Sequence, residues 1–259
     1  MSDVVVDIEA SSVAIVTLDR PHRRNAVTLE MWRELAALFG RLGDDPDVRA
    51  VVLTGRGEHF CAGADIGEFG AARRDASDAA GYERDVDRCT ESLMTLPKPT
   101  IAAVTGYCLG GGCALAMACD FRVAHRSARF GIPAARLGTV YGVLDSRNLV
   151  NLVGLPRAKE ILFGGRQFDA AEALAIGFVD RVVAEPALDE ARQFSARLAE
   201  SAPLSIAAAK LILNAVATGD AELRADLIRA AMDRAGDSKD YQEGVRAFLE
   251  KRRPVFRGE

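Results

Sequence analysis

Twenty consecutive residues without a charge, Thr100 to Cys119, constrain the fold of this 259-residue chain more than any other segment. A run of this length is long enough to span a bilayer. It contains four glycines, however, and it divides into a β-branched half, TIAAVT, and a half rich in Ala, Leu and Met. We therefore predict a buried strand, a glycine turn and a buried helix, with no membrane span.

Two earlier segments repeat this order of an apolar strand followed by a turn. VAIVTLDRP (13–21) precedes RRNAV, and AVVLTGRGEHF (50–60) precedes CAGAD. Between them LEMWRELAALFGRL carries apolar residues at the three-to-four spacing of a helix. Strands that alternate with helices predict an α/β fold whose sheets are covered by helices. The charged, Ala-rich stretch 71–88 predicts a mobile loop or an exposed helix.

The strand signals end near residue 200. Three amphipathic helical segments follow, and the first has Ser201 as its predicted N-cap and Pro203 in its first turn. We predict a core over residues 1–200 and a helical region over 201–259. Apolar-faced helices at the end of an α/β body suggest an oligomer interface, or packing against their own core.

Composition excludes several classes of partner. A net charge of -4 provides no general attraction to nucleic acid or to an anionic membrane. Five cysteines lack CxxC spacing and are accompanied by only three histidines, so we predict reduced, buried thiols and no metal site. The N-terminus lacks the pattern of a secretory signal, and we expect a cytoplasmic protein.

The glycines of GYCLGGGCALAMACD (106–120) match no nucleotide loop and no nucleophile elbow. A strand that leads through glycines into a helix presents free N–H groups, which can hold an anion or a developing oxyanion. The CAGAD turn offers a second set of such groups. Two backbone donors aimed at one carbonyl oxygen would stabilise the enolate of a thioester or an ester.

Five motifs in order resemble the enoyl-CoA hydratase/isomerase (crotonase) superfamily: HFCAGADIGE, KPTIAAVTGYCLGGGCALAMACDFRVA, ARFGIPAARLG, AEALAIGFVDRVV and YQEGVRAFLEKR. The resemblance implies a crotonase-like spiral of repeated ββα units, with C-terminal helices that build trimers or dimers of trimers. It implies an acyl-CoA thioester as ligand, with coenzyme A belonging to the substrate and no separate cofactor. The oxyanion-hole donors would be the backbone N–H groups of Ala64 and Gly111.

The same resemblance implies the contacts with coenzyme A. Ala62, Asp65 and Ile66 would lie along its adenine and pantetheine, and Arg24 would lie beside its phosphates. In the C-terminal FLEK segment, residues Phe248 and Lys251 would reach coenzyme A, often from a neighbouring subunit.

The chain departs from the hydratases of this family at two positions. Where they carry glutamates, this sequence has Ala114 and Ala134. Water addition needs both acid/base roles, and each contributes roughly 10²- to 10⁴-fold to the rate. Two-glutamate hydration is therefore not expected.

Two candidates could replace the missing acids. The stretch around Tyr141 resembles that of methylmalonyl-CoA decarboxylase, which has a tyrosine at this position but keeps a glutamate at the Ala114 position. The Tyr141 hydroxyl is a hydrogen-bond donor that would hold a substrate carboxylate, or alternatively Tyr141 has a packing role. Asp145 is a relocated acid, or alternatively the N-cap of the following helix. Glu68 and His59 flank the CAGAD turn and could approach the ligand.

Three functions remain open from the sequence. The first is a hydratase or isomerase with a relocated acid, and the second is a decarboxylase-type lyase. The third is a non-catalytic acyl-CoA-binding protein, which would need no side chain at either alanine.

Overall fold

The computed structural model describes residues 2–72, 74 and 76–259. Arg73 and Asp75, within the stretch predicted as a mobile loop or an exposed helix, lie outside the described residues. The strands are β1 (Val4–Ile8), β2 (Val13–Leu18), β3 (Ala50–Gly55), β4 (Thr100–Val104), β5 (Tyr107–Leu109), β6 (Phe121–His125), β7 (Arg129–Gly131), β8 (Gln167–Asp169) and β9 (Arg181–Val183). The α-helices are α1 (Leu29–Asp44), α2 (Phe69–Ala72), α3 (Ala76–Thr95), α4 (Gly111–Ala118), α5 (Val143–Gly164), α6 (Ala170–Ala175), α7 (Ala187–Ala199), α8 (Pro203–Thr218), α9 (Ala225–Gly236) and α10 (Lys239–Leu249).

The strands form two sheets. The larger has the order β1-β2-β3-β4-β6-β9, in which only the β1–β2 pair is antiparallel. The smaller has the order β5-β7-β8, with β5 parallel and β8 antiparallel to β7. This mixed architecture confirms the predicted α/β class.

Both faces of the larger sheet are buried at its central strands β2, β3 and β4. One face joins the main core with helices that include α1, α3 and α4, and the other packs against α7. Burial on both faces explains why β2, β3 and β4 are almost continuously apolar.

Helix α1 follows the predicted amphipathic pattern. Its N-cap Thr28 accepts a hydrogen bond from the Met31 amide, and its inner face includes the fully buried Trp32. The Trp32 indole donates to the Tyr82 hydroxyl of α3 over 3.1 Å, which ties the two helices together.

Helix α3 covers residues 76–88 of the charged stretch and corrects the prediction of a mobile loop or an exposed helix there. Its inward residues Tyr82, Val86 and Cys89 are buried in the main core. The high charge of this stretch obscured the helical spacing of those apolar residues.

The uncharged stretch 100–119 forms β4, β5 and α4, as the glycine pattern predicts. Within the described part of the chain, no single helix is long and apolar enough to cross a membrane. The bent pair Ala187–Ala199 and Pro203–Thr218 meets the length and composition criteria only when its two helices are taken together.

The chain is helical from Pro203 to Leu249 except at short connections. Pro203 is the first residue of α8, as predicted, but the N-cap is Ala202, so the prediction of Ser201 is wrong. Proline fixes the backbone at the first helical position and thereby moves the cap to the residue before it. The division of the chain at residue 200 stays a prediction.

A largely buried ion pair docks α8 on the sheet. Lys210 Nζ lies 2.8 Å from Asp120 Oδ2, which also accepts the amide and the hydroxyl of Thr100. We expect Lys210→Met to lower the unfolding free energy by about 3 kcal/mol, because Asp120 loses its cation in a site that water reaches poorly. Urea unfolding measures the effect.

The exposed pair of Lys239 and Glu259 provides the matched control. Lys239→Met should change stability by less than about 1 kcal/mol, since water screens this pair. Equal effects of the two substitutions would contradict the docking role of Lys210.

Candidate active site

Two glycine turns meet beside the isolated bridge between Cys61 and Cys108 of β5. A Cβ atom added at Gly112 would lie 2.5 Å from the carbonyl oxygen of Cys61, and one at Gly63 would lie 2.9 Å from that of Leu109. Real Cβ atoms do not approach backbone oxygens this closely. Gly63 also has φ +108, which disfavours any side chain. The glycines therefore permit the close approach of the two turns.

The approach brings together the two amides predicted as oxyanion-hole donors. A Cβ atom at Gly111 would lie 3.3 Å from the Ala64 nitrogen. The Gly63 carbonyl and the Asp65 amide both bond to Val27, so the intervening Ala64 N–H is left for another acceptor. Among the hydrogen bonds of the described residues, neither the Ala64 nor the Gly111 amide is a donor.

A cavity of about 130 Å³ opens beside these amides. Its walls are mostly apolar and include Trp32, Phe69 and Ile132. Ala64, Gly111, Tyr141 and Asp145, the four predicted catalytic residues, all line it. An apolar pocket with a few convergent polar groups is the usual form of a small-molecule site.

Asp145 is the buried acid of this cavity. Its residue is 5% exposed, and its Oδ1 atom has no hydrogen-bond partner. Burial, together with the charges of Asp87 and Glu83, raises the pKa of Asp145 to about 7. A carboxyl group with this pKa both accepts and donates a proton near neutral pH.

The alternative N-cap role of Asp145 is wrong. Helix α5 begins at Val143 with Gly142 as its N-cap, and Asp145 lies within the first turn. Tyr141 precedes the helix, so the two side chains meet in the cavity without sharing a helical face. The helix dipole stabilises a carboxylate in the first turn. For Asp145 this stabilisation is smaller than the free-energy cost of burying the charged form.

Tyr141 donates its hydroxyl to the Gly110 carbonyl over 3.2 Å. Burial and the neighbouring Asp145 raise the pKa of Tyr141 well above its usual value, so the phenol stays protonated. Tyr141 is therefore a neutral donor next to the glycine turn.

Ala114 and Ala134 are the two positions at which the resemblance to the family implies a glutamate in hydratases. Ala134 lines the cavity, and Ala114 is buried in α4 behind the Gly111 turn. Neither side chain can exchange a proton.

Two acidic residues of α3, Glu83 and Asp87, lie near the site although the sequence did not point to them. Glu83 lines the cavity, and its Oε2 lies 3.7 Å from the place of a Cβ atom at Gly142, while Asp87 Oδ1 lies 3.6 Å from it. Burial, with the charge of Glu91, raises the pKa of Asp87. Their spacing of four residues beside the apolar Tyr82 and Val86 was the available sequence signal.

Of the residues predicted to contact coenzyme A, Ala62 and Ile66 line the cavity. The Ala62 amide bonds to the carbonyl of Arg24, whose exposed guanidinium lies over the Tyr107 ring at 5.4 Å. The Asp65 carboxylate makes structural contacts, because it forms an ion pair with Arg20 at 3.1 Å and caps the 3-10 helix Ile66–Glu68.

Phe248 and Lys251 are exposed near the end of α10 and do not line the cavity. A contact with coenzyme A from a neighbouring subunit stays a prediction for both.

The two residues that flank the CAGAD turn have structural partners. Glu68 accepts the amide of Leu29 at the start of α1 over 2.8 Å. His59 accepts the amide of Tyr107 and stacks on its ring.

The five cysteines are buried free thiols. Within the described ranges no cluster of three or more His, Cys, Asp or Glu side chains has the arrangement of a metal site.

Comparisons with known proteins identify the family. The sequence model for enoyl-CoA hydratase/isomerase matches residues 8–259. This chain belongs to the enoyl-CoA hydratase/isomerase family. The resemblance of its five motifs to that family is thereby confirmed, and the family processes acyl-CoA thioesters.

Individual members of the enoyl-CoA hydratase/isomerase family resemble the chain over nearly its whole length. A probable enoyl-CoA hydratase of Mycobacterium bovis is 38% identical over 248 residues, which is 94% of each protein. The short-chain-enoyl-CoA hydratase of Clostridium acetobutylicum is 34% identical and covers 98% of this chain and 97% of its own. A solved structure of a family protein from Hyphomonas neptunium has a TM-score of 0.94 at 35% identity, covering 100% of this chain and 98% of its own, which confirms the crotonase-like fold.

Proposed function

We propose that this chain is an acyl-CoA double-bond isomerase that forms a thioester enolate and moves one proton with Asp145. The observation that carries the proposal is one cavity that joins two available backbone amides to a buried, unpartnered carboxyl group. An isomerase needs one acid/base residue, whereas hydration in this family's usual manner needs two.

The proposed reaction starts with a 3-enoyl-CoA. The Asp145 carboxylate takes a proton from the carbon next to the thioester, and the electron pair of that C–H bond delocalises onto the thioester oxygen. The Ala64 and Gly111 N–H groups hold the resulting dienolate oxygen, a contribution of roughly 10²- to 10³-fold per donor. The Asp145 acid then returns the proton two carbons further along, and the double bond becomes conjugated with the thioester.

The mostly apolar lining of the cavity favours proton transfer over the addition of water. Ala134 lines the cavity, and its methyl group cannot orient a water molecule, unlike the glutamate that the resemblance implies for a hydratase at this position. Trp32, Phe69 and Ile132 also disfavour a water beside the acyl chain.

Decarboxylation is the second candidate, and Tyr141 is the observation that favours it. Loss of carbon dioxide from a malonyl-type thioester forms the enolate without a base. The Tyr141 hydroxyl would exchange its bond with the Gly110 carbonyl for one with the substrate carboxylate, and after loss of carbon dioxide the acid form of Asp145 would protonate the enolate carbon.

We also propose that the acyl-CoA lies between Arg24 and Ile66 and that a second copy of the chain contributes Phe248 and Lys251 to it. This arrangement would make the active assembly a trimer or a dimer of trimers.

The first test uses butyryl-CoA in deuterium oxide. Exchange of the hydrogens next to its thioester reports enolate formation even though the natural substrate is not known. We expect deuterium at the carbon next to the thioester, detected by mass spectrometry, and conversion of 3-hexenoyl-CoA to the conjugated isomer, detected by absorbance.

The other functions give different results. Hydration would consume the conjugated thioester of crotonyl-CoA, and decarboxylation would release carbon dioxide from methylmalonyl-CoA. Binding of butyryl-CoA without exchange or isomerisation would contradict the isomerase, and inactivity toward the other two substrates as well would favour a non-catalytic acyl-CoA-binding protein.

A further inference from the structure

We propose that Glu83 and Asp87 of α3 are positioning residues whose carboxylates, packed against the start of α5, prepare Asp145 for proton transfer. The inference rests on the proposed function, because it assigns a purpose to the acid that the isomerase would use. It adds a second helix to the catalytic apparatus, and these two residues act through Asp145 without exchanging a proton with substrate.

The packing of α3 across the start of α5 carries the inference. Glu83 and Asp87 are one helical turn apart and therefore lie on the same face of α3. Both carboxylates approach Gly142, the N-cap of α5, to within 3.7 Å of the place where its Cβ would be. Since Gly142 has no side chain, nothing at that position separates α3 from the first turn of α5, in which Asp145 lies.

Asp145 itself is isolated from compensating groups. Its Oδ1 atom is buried without a hydrogen bond, and no described arginine or lysine forms an ion pair with Asp145 or Asp87. The other titratable groups that interact with Asp145 are the neutral Tyr141 and the thiol of Cys89, whose pKa values both rise.

The nearest cation along α5 does not enter the same cavity. Arg147 follows Asp145 by two residues, but it lines a separate cavity with Lys210 and Arg224. Glu83 lines the same cavity as Asp145, and the charges of both Glu83 and Asp87 act on Asp145.

Two effects combine to place the pKa of Asp145 at about 7. Burial is the larger one, and the like charges of Asp87 and Glu83 add to it. A residue that must take and return one proton works best when its pKa lies near the working pH. Removal of either charge should lower the pKa of Asp145. The Asp145 carboxylate would then take a proton from the substrate less readily.

The test measures Asp145 directly. Aspartate labelled with ¹³C at the side-chain carboxyl is titrated by NMR between pH 4 and 9, and the Asp145 signal is assigned by its loss in Asp145→Asn. We expect Glu83→Gln and Asp87→Asn each to lower the Asp145 pKa by about half a unit or more, about threefold in its dissociation constant. The acidic limb of the butyryl-CoA exchange profile should move down in pH by the same amount.

Asp85→Asn is the matched control. Asp85 lies on α3 between the two acids, but it faces α1 and pairs with Arg33 at 2.8 Å. Its loss should leave the Asp145 pKa unchanged.

The inference is overturned if neither Glu83→Gln nor Asp87→Asn lowers the Asp145 pKa, or if Asp85→Asn lowers it equally. The NMR titration needs no turnover, so it stands even when wild-type protein exchanges no proton. Absence of exchange with the expected NMR shifts would overturn the proposed function and leave this inference intact.

Discussion

Asp145→Asn should strongly slow proton transfer and at the same time stabilise the protein at alkaline pH. We expect exchange into butyryl-CoA to fall by about 10²- to 10⁴-fold, because asparagine cannot take or return a proton. The stability effect has the opposite sign because a buried carboxylate without a partner costs free energy in the folded state.

The pH dependence of this effect follows from the raised pKa of Asp145. An unfolded aspartate has a pKa of about 3.9, whereas the folded protein holds the Asp145 proton until about pH 7. Stability from this group is therefore complete below about pH 4 and is lost as the pH rises towards 7. We expect Asp145→Asn to exceed wild type by about 2–4 kcal/mol at pH 8 and by about 1 kcal/mol at pH 5, measured by urea unfolding.

Asp226→Asn provides a matched control. Asp226 also lies in the first turn of a helix, α9, but it is exposed. Its substitution should cost less than about 1 kcal/mol at both pH values, through the helix dipole alone. If the difference in unfolding free energy between Asp145→Asn and wild type does not grow with pH, Asp145 is not a buried carboxylate at pH 8.

The sequence predicted the two turns of the candidate oxyanion hole because each is a local feature. A strand followed by glycines and a helix presents free amides wherever it occurs, so both glycine turns are recognisable without their neighbours. The choice of Ala64 and Gly111 as the donors came from the resemblance to the family and stays a prediction. Periodicity likewise predicted α1 and the main strands.

The acids of the site were harder to predict because their roles depend on contacts between distant segments. Glu83 and Asp145 are 62 residues apart, and no local pattern indicates that α3 crosses the start of α5. The N-cap role considered for Asp145 was wrong for the same reason. Aspartate is favoured both at an N-cap and in the first turn of a helix, and Gly142 together with tertiary packing decides between them.

The close contact between the glycine turns gives the second large expected effect. Gly112→Ala would place a Cβ atom 2.5 Å from the Cys61 carbonyl oxygen, so one turn must move. We expect the unfolding free energy to fall by about 1–3 kcal/mol, and exchange into butyryl-CoA to fall at least about 100-fold as the two amides separate.

Gly111→Ala tests the geometry of the oxyanion hole with a smaller effect on the unfolding free energy. Its Cβ would lie 3.0 Å from a Trp32 ring atom and 3.3 Å from the Ala64 nitrogen, so the methyl group crowds the hole while the backbone need move little. Exchange should fall about as far as in Gly112→Ala, with a smaller loss in urea unfolding. Gly40→Ala, on the exposed side of α1 with no atom within 4 Å, should keep the wild-type rate and gain about 0.5–1 kcal/mol. A Gly111→Ala protein with wild-type exchange would place the enolate oxygen elsewhere, because a hole built from these two amides cannot tolerate a methyl group between them.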